Sequence, residues 1–329
     1  MLDSELAMAA AAAAGDASAA LAVADAATAL VFPTGPATTE PSARCVQELL
    51  SDLAEIDLTV ARVVEPQLDA LLILREAGVR IRPGRWGVYA SEAPGLVLNA
   101  VRVDDGWRLD GVKEWCSLAG ILDRALITAR TDEGYRLFAV DLHHPGVSVG
   151  DPAGWAARGL TTVVSTAVEF SAVAAEPVGA VDWYLIRPGF GWGGIRVAAC
   201  WYGGARAVYH HLRAALGTRS RPDPIRQVAL GHAEVACWSA ALALEHAAAE
   251  IDAGHACADA GAVLAARTRA LVADAVETVL RDSGHALGAA PLAFDIDHAR
   301  RVADLQLYVR QHHAERDLAA LAALPRPGG

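Results

Sequence analysis

Apolar and polar positions follow two different periods along the chain. Up to about Gly78, and again from Pro188 to the end, apolar residues recur at i, i+3, i+4 and i+7, the spacing of one helix face. From about Val79 to Arg187, apolar and polar residues alternate in short runs, as they do in half-buried strands. The sequence therefore predicts an α+β, multidomain protein, with N-terminal helices over residues 1–80, a β-domain over 81–187 and a C-terminal helical bundle over 188–329.

The clearest local signal in the β-domain is a hairpin. LVLNAVRVDDGWRLDG alternates on both sides of Asp105-Gly106, and an Asp-Gly pair between alternating runs is a strong hairpin signal. We therefore predict two antiparallel strands from about Val97 to Arg108. RALITAR, YRLFAVDL and STAVEFSAV are further strand candidates, and several short strands separated by turn residues suggest a compact barrel or sandwich.

The last part of the chain carries four long helical stretches, which begin at GGIRV, DPIRQ, CADAG and DIDHA. Their apolar spacing, with glycines and prolines at the joints, fits an antiparallel bundle. The fourth is predicted as one helix that continues through QHHAERDLAALAAL. The glycine-rich run GFGWGG, at the start of the bundle, is either the loop that enters it or a backbone that approaches a ligand closely.

Charge and cysteine usage exclude several classes of protein. The net charge is −11 and the arginines are scattered, whereas a nucleic-acid-binding surface needs a basic stripe. The N-terminus is acidic where a signal peptide is positive, and no window of about 18 apolar residues lacks charges or breakers, so we expect neither a signal peptide nor a membrane span. Five cysteines without a CxxC pair predict reduced thiols in a cytoplasmic protein.

Histidine pairs do not predict a metal site. His143-His144, His210-His211 and His312-His313 are each adjacent. Adjacent residues on a helix point about 100° apart, and no HExxH or other i,i+4 pair of histidines occurs. We therefore expect no bound metal, and polar surface positions for the first two pairs.

The stretch DGWRLDGVKEWCS holds the most suggestive side chains. Trp115 and Ser117 lie two residues apart, and in an extended strand such residues face the same side. An apolar ring beside a hydroxyl suits a planar heterocycle with nitrogens at its edge. A sheet can also pack a tryptophan and expose a serine without any ligand, because sheet surfaces favour aromatic residues.

The same stretch resembles the "GWxLxGxKxWI(T/S)" pattern of the acyl-CoA dehydrogenases, whose order of helices, β-domain and helical bundle is also the one predicted here. The loop YASEAPG is similar to that family's "TEPGAGSD", and WAARGLTTVVSTAVEFSAVAAEPVG resembles a later family segment. The resemblance covers about residues 86–216 well and the C-terminal bundle more loosely. It implies an FAD-binding oxidoreductase, with Ser91, Trp115 and Ser117 at the flavin ring.

Two parts of the family pattern are altered in this chain. The second half of "TEPGAGSD" is missing, because LVLNA follows Pro94-Gly95 directly. The family's phosphate-binding arginine lies in an "RxxFG" turn, and the corresponding text here is RSRPDPIRQ. Arg219 and Arg221 are therefore both candidates to contact the FAD phosphates, and Arg219 is preferred.

The glutamate that acts as base in the family is absent from both of its usual places. The segment that resembles "YEGT" reads ADLQLYVRQHHAERD, where Gln311 and His312 fall near the glutamate position. The start of the bundle, GFGWGGIRV, contains no carboxylate. His312 is the candidate catalytic residue, because an imidazole near neutrality exchanges protons, and Glu315 is the next residue to test.

Three functions follow from the resemblance. The first is oxidation of an acyl thioester, an acyl-CoA or a similar small molecule, by a homodimer or tetramer. The second is a non-catalytic, dehydrogenase-like subunit of a hetero-oligomer, which the missing glutamates favour. The third is a flavin-dependent monooxygenase in which His312 replaces the base.

Overall fold

The computed structural model describes residues 2–33, 41–217 and 223–325. It has N-terminal helices, a central β-rich domain and C-terminal helices, so the predicted fold class is confirmed. Among the described residues, no helix has the length and apolar character that crossing a membrane requires.

The N-terminal part contains four helices: α1 (Ser4–Ala12), α2 (Ala17–Val31), α3 (Ala43–Ile56) and α4 (Leu58–Glu76). Each begins after an aspartate or serine whose side chain accepts a hydrogen bond from a backbone N–H of the first turn, the usual N-cap arrangement. Helix α4 is the central element, because nearly all of its residues are buried, including three acidic or amide side chains, Glu65, Gln67 and Asp69.

The β-domain forms a closed barrel. Its strands are β1 (Trp86–Tyr89), β2 (Leu98–Val103), β3 (Gly106–Ser117), β4 (Arg124–Thr131), β5 (Gly134–Asp141), β6 (Val147–Val149) and β7 (Ser165–Val178). Strands β2, β3, β7, β5 and β4 pair in that order, and β4 pairs again with β2, which closes a ring of five. Strand β1 adds to β4 in parallel, and β6 adds to β7.

The predicted hairpin is confirmed. Strands β2 and β3 are antiparallel, with register pairs from Leu98–Gly111 to Val103–Gly106. The turn falls at Asp104-Asp105, and Gly106 has φ 143°, a value that glycine adopts without strain.

The C-terminal part contains α5 (Trp183–Ile186), α6 (Pro188–Gly217), α7 (Pro224–Asp252), α8 (Ala258–Leu287), α9 (Ala290–Phe294), α10 (Ile296–Tyr308) and α11 (Glu315–Ala323). The run GFGWGG lies inside α6, so the interpretation as an entry loop is wrong. Two of its glycines lie where a side chain would come too close to neighbouring residues. A Cβ on Gly193 would lie 3.2 Å from the carboxylate of Asp69, and one on Gly194 would lie 3.0 Å from the Arg269 side chain.

The fourth predicted bundle helix is broken, and that prediction was wrong. After α10, a 3-10 turn spans Val309–Gln311, and the chain then leaves the helix until α11 begins. Ala314 has φ 46°, an unfavourable value for alanine. The guanidinium of Arg269, on α8, donates to the carbonyl oxygen of Gln311 at 3.0 Å. A side chain from another helix therefore satisfies a carbonyl at the point where the helical turn ends.

Candidate functional site

The strand that carries Trp115 and Ser117 is not extended between them. The pairing of β3 with β7 shifts register between Lys113 and Cys116, and Trp115 has φ 60°. The expectation that the two residues share a face because the strand is extended is therefore wrong. The bulge turns the Trp115 indole outward, and 57% of the residue is exposed. Its ring is perpendicular to that of Trp155, with the ring centres 6.5 Å apart.

The Ser117 hydroxyl belongs to a partly buried hydrogen-bond network. Its Oγ accepts from Arg62 Nη2 at 3.2 Å and lies 2.7 Å from Ser165 Oγ. Because Ser165 donates its own hydrogen to the carbonyl of Val163, Ser117 is the donor to Ser165. One lone pair of the Ser117 hydroxyl is then left for another donor.

Arg62 connects Ser117 to a second region. Its Nη1 lies 3.5 Å from Glu65 Oε2, and its guanidinium carbon lies 5.7 Å from the centre of the Tyr308 ring. The Tyr89 hydroxyl holds the same strand end by donating to the Ser117 carbonyl at 3.0 Å. Ser117 and Glu65 are thus joined through one side chain.

The loop that carries Ser91 is tied to the barrel by the only lysine of the chain. Lys113 is buried, and its Nζ donates to Glu92 Oε1 at 2.6 Å and to Thr128 Oγ1 at 2.8 Å. Ser91 itself is exposed in the connection between β1 and β2. Arg219 and Arg221 lie outside the described residues, so their predicted contacts with FAD phosphates remain predictions.

A cavity of about 690 Å³ lies at the other end of the Arg62 connection. Helices α4, α5, α6, α8 and α11 line it, together with the break before α11. The charged and imidazole side chains in its wall are Glu65, Asp69, Arg187, Asp259, Arg269, His312 and Asp317. Much of the remaining wall is apolar, and such a cavity is of the size that holds small organic ligands.

The helix break places His312 in the cavity wall. Only 8% of its side chain is exposed, and its buried Nε2 makes no hydrogen bond, with Asp317 Oδ2 at 3.8 Å as its nearest acidic group. Burial lowers the pKa of His312 below its ordinary value, so the imidazole is neutral at pH 7. Glu315 is exposed at the start of α11 and is not among the residues of the wall.

Glu65 is a carboxyl group that we did not predict from the sequence. Its side chain is only 8% exposed, and burial raises the pKa of Glu65 to about 7, against the opposing charge of Arg62. A carboxyl group with this pKa exchanges a proton near neutrality, so Glu65 can serve as an acid or a base at the cavity.

This pKa predicts a pH-dependent stability difference. The folded pKa lies above the unfolded value of 4.5, so Glu65 destabilises the fold progressively as the pH rises from about 4.5 to about 7. Glu65→Gln removes this titration. We expect the variant and the wild type to be similar in stability at pH 5, and the variant to be more stable at pH 8 by up to about 3 kcal/mol.

Urea unfolding of both proteins at the two pH values measures this difference. All other groups titrate in both proteins. The change with pH in the difference between their free energies of unfolding therefore measures the titration of Glu65. The raised pKa would be contradicted if the difference in unfolding free energy were the same at both pH values, or if the wild type gained stability relative to the variant at pH 8.

The residues around Trp115 offer a planar cofactor a stacking surface, but they limit the hydrogen bonds that Ser117 can make with it. An exposed indole held by a bulge offers a stacking surface for an aromatic ring. The Ser117 hydroxyl, whose hydrogen is used by Ser165, can accept a hydrogen bond from such a ring but cannot donate one without breaking an existing bond. The Ser117 acceptor by itself suits an N–H at the edge of a flavin ring.

Comparisons with known proteins agree with this fold. Residues 89–173 match the family model of the acyl-CoA dehydrogenase middle domain. The whole chain has the acyl-CoA dehydrogenase-like fold, so the resemblance noted in the sequence is confirmed. No curated protein matched the sequence.

Three solved structures illustrate the fold. FMN-bound TdsC from Paenibacillus sp. A11-2, a dibenzothiophene monooxygenase, is 17% identical with a TM-score of 0.81, covering 98% of this chain and 97% of that one. Methanesulfinate monooxygenase MsuC from Pseudomonas fluorescens is 18% identical with a TM-score of 0.77, covering 99% of each chain. Butyryl-CoA dehydrogenase from Megasphaera elsdenii is 18% identical with a TM-score of 0.78, covering 92% and 88%.

Proposed function

We propose that this chain is a flavin-dependent monooxygenase that oxidises a small organic molecule in the cavity beside His312. The observation that carries the proposal is the wall of the cavity at the helix break. The segment there resembles the one that carries the catalytic base in the dehydrogenases, and it presents a buried, neutral imidazole whose Nε2 makes no hydrogen bond. The similarity of the whole chain to TdsC and MsuC, both monooxygenases, supports the same reading.

In this proposal, Trp115 stacks on the flavin ring and Ser117 accepts a hydrogen bond from its edge. When bound and reduced, a flavin would supply two of the electrons that reduce O₂ and the substrate the other two, so that one oxygen atom enters the substrate and the other leaves as water. The buried Nε2 of His312 would take a proton from the substrate and pass it to the oxygen atom that leaves as water, while the apolar wall of the cavity excludes bulk water. The sequence resemblance implies FAD, whereas TdsC and KijD3 were solved with FMN, so both flavins belong in the test.

Glu65 favours a second function, the desaturation of an acyl thioester or acid. A carboxyl group with a pKa of about 7 at the cavity is suited to remove an α-proton, while hydride leaves the β-carbon for an oxidised flavin. This is the activity first implied by the sequence, with Glu65 in place of the two absent glutamates.

Oxygen dependence separates the two functions. Under anaerobic conditions, bleaching of bound oxidised flavin by acyl-CoAs or acids supports desaturation. Product that contains ¹⁸O from ¹⁸O₂, formed only when the flavin is reduced beforehand, supports oxygenation. A protein that takes up neither FAD nor FMN, oxidised or reduced, supports the non-catalytic subunit instead.

Trp115→Ala is expected to weaken flavin binding by about tenfold or more, because the stacking surface is lost, about 1.5 kcal/mol in free energy. Titration of the protein with FAD and FMN, followed by flavin fluorescence, measures the change. Trp238→Ala is the matched control, because Trp238 is exposed to a similar extent, 63%, on α7. Equal weakening by both substitutions would contradict the placement of the ring at Trp115.

A further inference from the structure

One cation in the cavity wall has no carboxylate partner. Arg269, on α8, donates through Nη1 to the Gly194 carbonyl at 2.9 Å and through Nη2 to the Gln311 carbonyl at 3.0 Å. Its guanidinium carbon also lies 4.9 Å from the centre of the Trp201 ring. These contacts fix the direction of the side chain but do not neutralise its charge.

The other arginine of the wall, Arg187, and the nearby Arg196 of α6 are both neutralised. Arg187 pairs with Glu76 at 2.5 Å, and Arg196 pairs with Asp69. Across the described part of the chain, Arg269 forms no ion pair. Burial lowers the pKa of Arg269, which reflects desolvation that its carbonyl contacts do not offset.

The acidic groups that face Arg269 already have donors of their own. Glu65 faces Arg62 at 3.5 Å. Asp317 accepts from the His313 backbone N–H at 3.1 Å and lies 3.3 Å from the His313 ring. The free N–H groups of Arg269 are therefore available to an anion that enters the cavity.

The glycine run of α6 makes room for this arginine. A Cβ on Gly194 would lie 3.0 Å from Arg269 Cδ and 3.3 Å from its Nη1, and one on Gly191 would lie 3.1 Å from the Ala265 Cβ. Side chains at these positions would displace the guanidinium or narrow the cavity. The unusual glycine content at the start of this helix thus has a role in keeping the guanidinium beside the cavity.

We propose that Arg269 is a specificity-determining residue, and that the substrate carries an anionic oxygen group, a carboxylate or a sulfinate, which binds its guanidinium. Two oxygens of such a group suit the planar donors of arginine. Because Arg269 bonds to the carbonyl of Gln311, the residue before His312, the anion anchors the substrate next to the imidazole. The rest of the molecule lies along the apolar wall, formed by Leu185, Ile186, Phe190, Val197 and Leu321.

This inference rests on the proposed function for turnover, but its test measures binding alone. Calorimetric titrations of the full-length protein, without added flavin and with each flavin, use octanoate, octane-1-sulfinate and the neutral octanamide. We expect at least one anion to bind about 10- to 100-fold more tightly than the amide, the gain typical of a hydrogen bond to a charged group. Arg269→Gln removes this preference, and Arg269→Lys retains part of it.

Arg267→Gln is the matched control, because Arg267 is exposed on the same helix. It should leave the preference for the anion unchanged. Equal binding of both anions and the amide by the wild type would overturn the inference, as would a loss of preference in Arg267→Gln equal to that in Arg269→Gln. The wild-type comparison decides the question even if Arg269→Gln does not fold. A protein that binds the anion but takes up no flavin would refute the proposed function and leave this inference intact.

Discussion

Replacing His312 with alanine is expected to lower turnover by about 10²–10⁴-fold, the usual contribution of a general acid or base. The imidazole is buried in the cavity wall, and its Nε2 has no other hydrogen-bond partner. Because the side chain makes no hydrogen bond through this atom, the loss should appear in kcat and leave flavin affinity unchanged.

The pH profile distinguishes a proton-transfer role from a structural one. Burial lowers the pKa of His312, so the basic form is present at and above neutrality. The wild-type rate should rise with pH and level off below the ordinary range of histidine, about 6.5. In the alanine variant this rise should disappear.

His313→Ala is the control for this prediction. The neighbouring ring is 60% exposed, so it should contribute little to turnover. If His312→Ala keeps wild-type turnover and Glu65→Gln abolishes it, the catalytic base is Glu65, and desaturation becomes the better proposal.

Arg196→Met is expected to destabilise the protein by about 3–5 kcal/mol, because it leaves a buried carboxylate without its partner. Arg196 Nε donates to Asp69 Oδ1 at 3.1 Å, and the two side chains are only 9% and 12% exposed. The pair joins α6 to α4 at the cavity wall. Chemical denaturation monitored by circular dichroism measures the change.

The double variant Asp69→Leu with Arg196→Met should be more stable than either single variant, since two apolar side chains leave no unpaired charge.

Arg206 provides the comparison. It also joins α6 to the N-terminal helices, through Asp52 at 2.8 Å and Glu55 at 2.6 Å, but these side chains are 22–33% exposed. Arg206→Met should cost about 1 kcal/mol. Equal costs for the two single arginine variants would show that burial does not set the strength of these pairs.

The parts of the fold that the sequence predicted depend on local signals. Alternation around Asp105-Gly106 defines the hairpin, because both the turn chemistry and the strand period are contained within a few residues. The closure of the barrel is different, since the second pairing of β4 joins strands whose contacts no local pattern specifies.

Errors arose where tertiary contacts override local preference. Glycine disfavours helix, so GFGWGG resembled a loop, yet it lies in α6, where Asp69 and Arg269 leave little space for side chains. The helix break at Ala314 follows no proline or glycine. The Arg269 side chain that contacts the Gln311 carbonyl comes from another helix, 42 positions away in the chain.

The site was predicted only in part. Their motifs made Trp115, Ser117 and His312 candidates in the sequence, whereas Arg62, Glu65 and Arg269 were not predicted. The sequence does contain a pattern that indicates Arg62 and Glu65. Arg62, Glu65 and Asp69 lie three and four positions apart, on one face of a helix that is otherwise mostly apolar. Charged residues at that spacing inside a buried helix point to a polar cluster.

The closed barrel also bears on how copies of this protein associate. A sheet edge with unpaired backbone groups can template strand addition and aggregation. Here five strands share their edges in a ring, and within residues 81–187 the strands outside the ring have only four and three residues. The backbone that the β-domain leaves open to intermolecular strand pairing therefore lies mainly in these two short strands and in the part of β2 beyond its single register pair with β4, Asn99–Arg130.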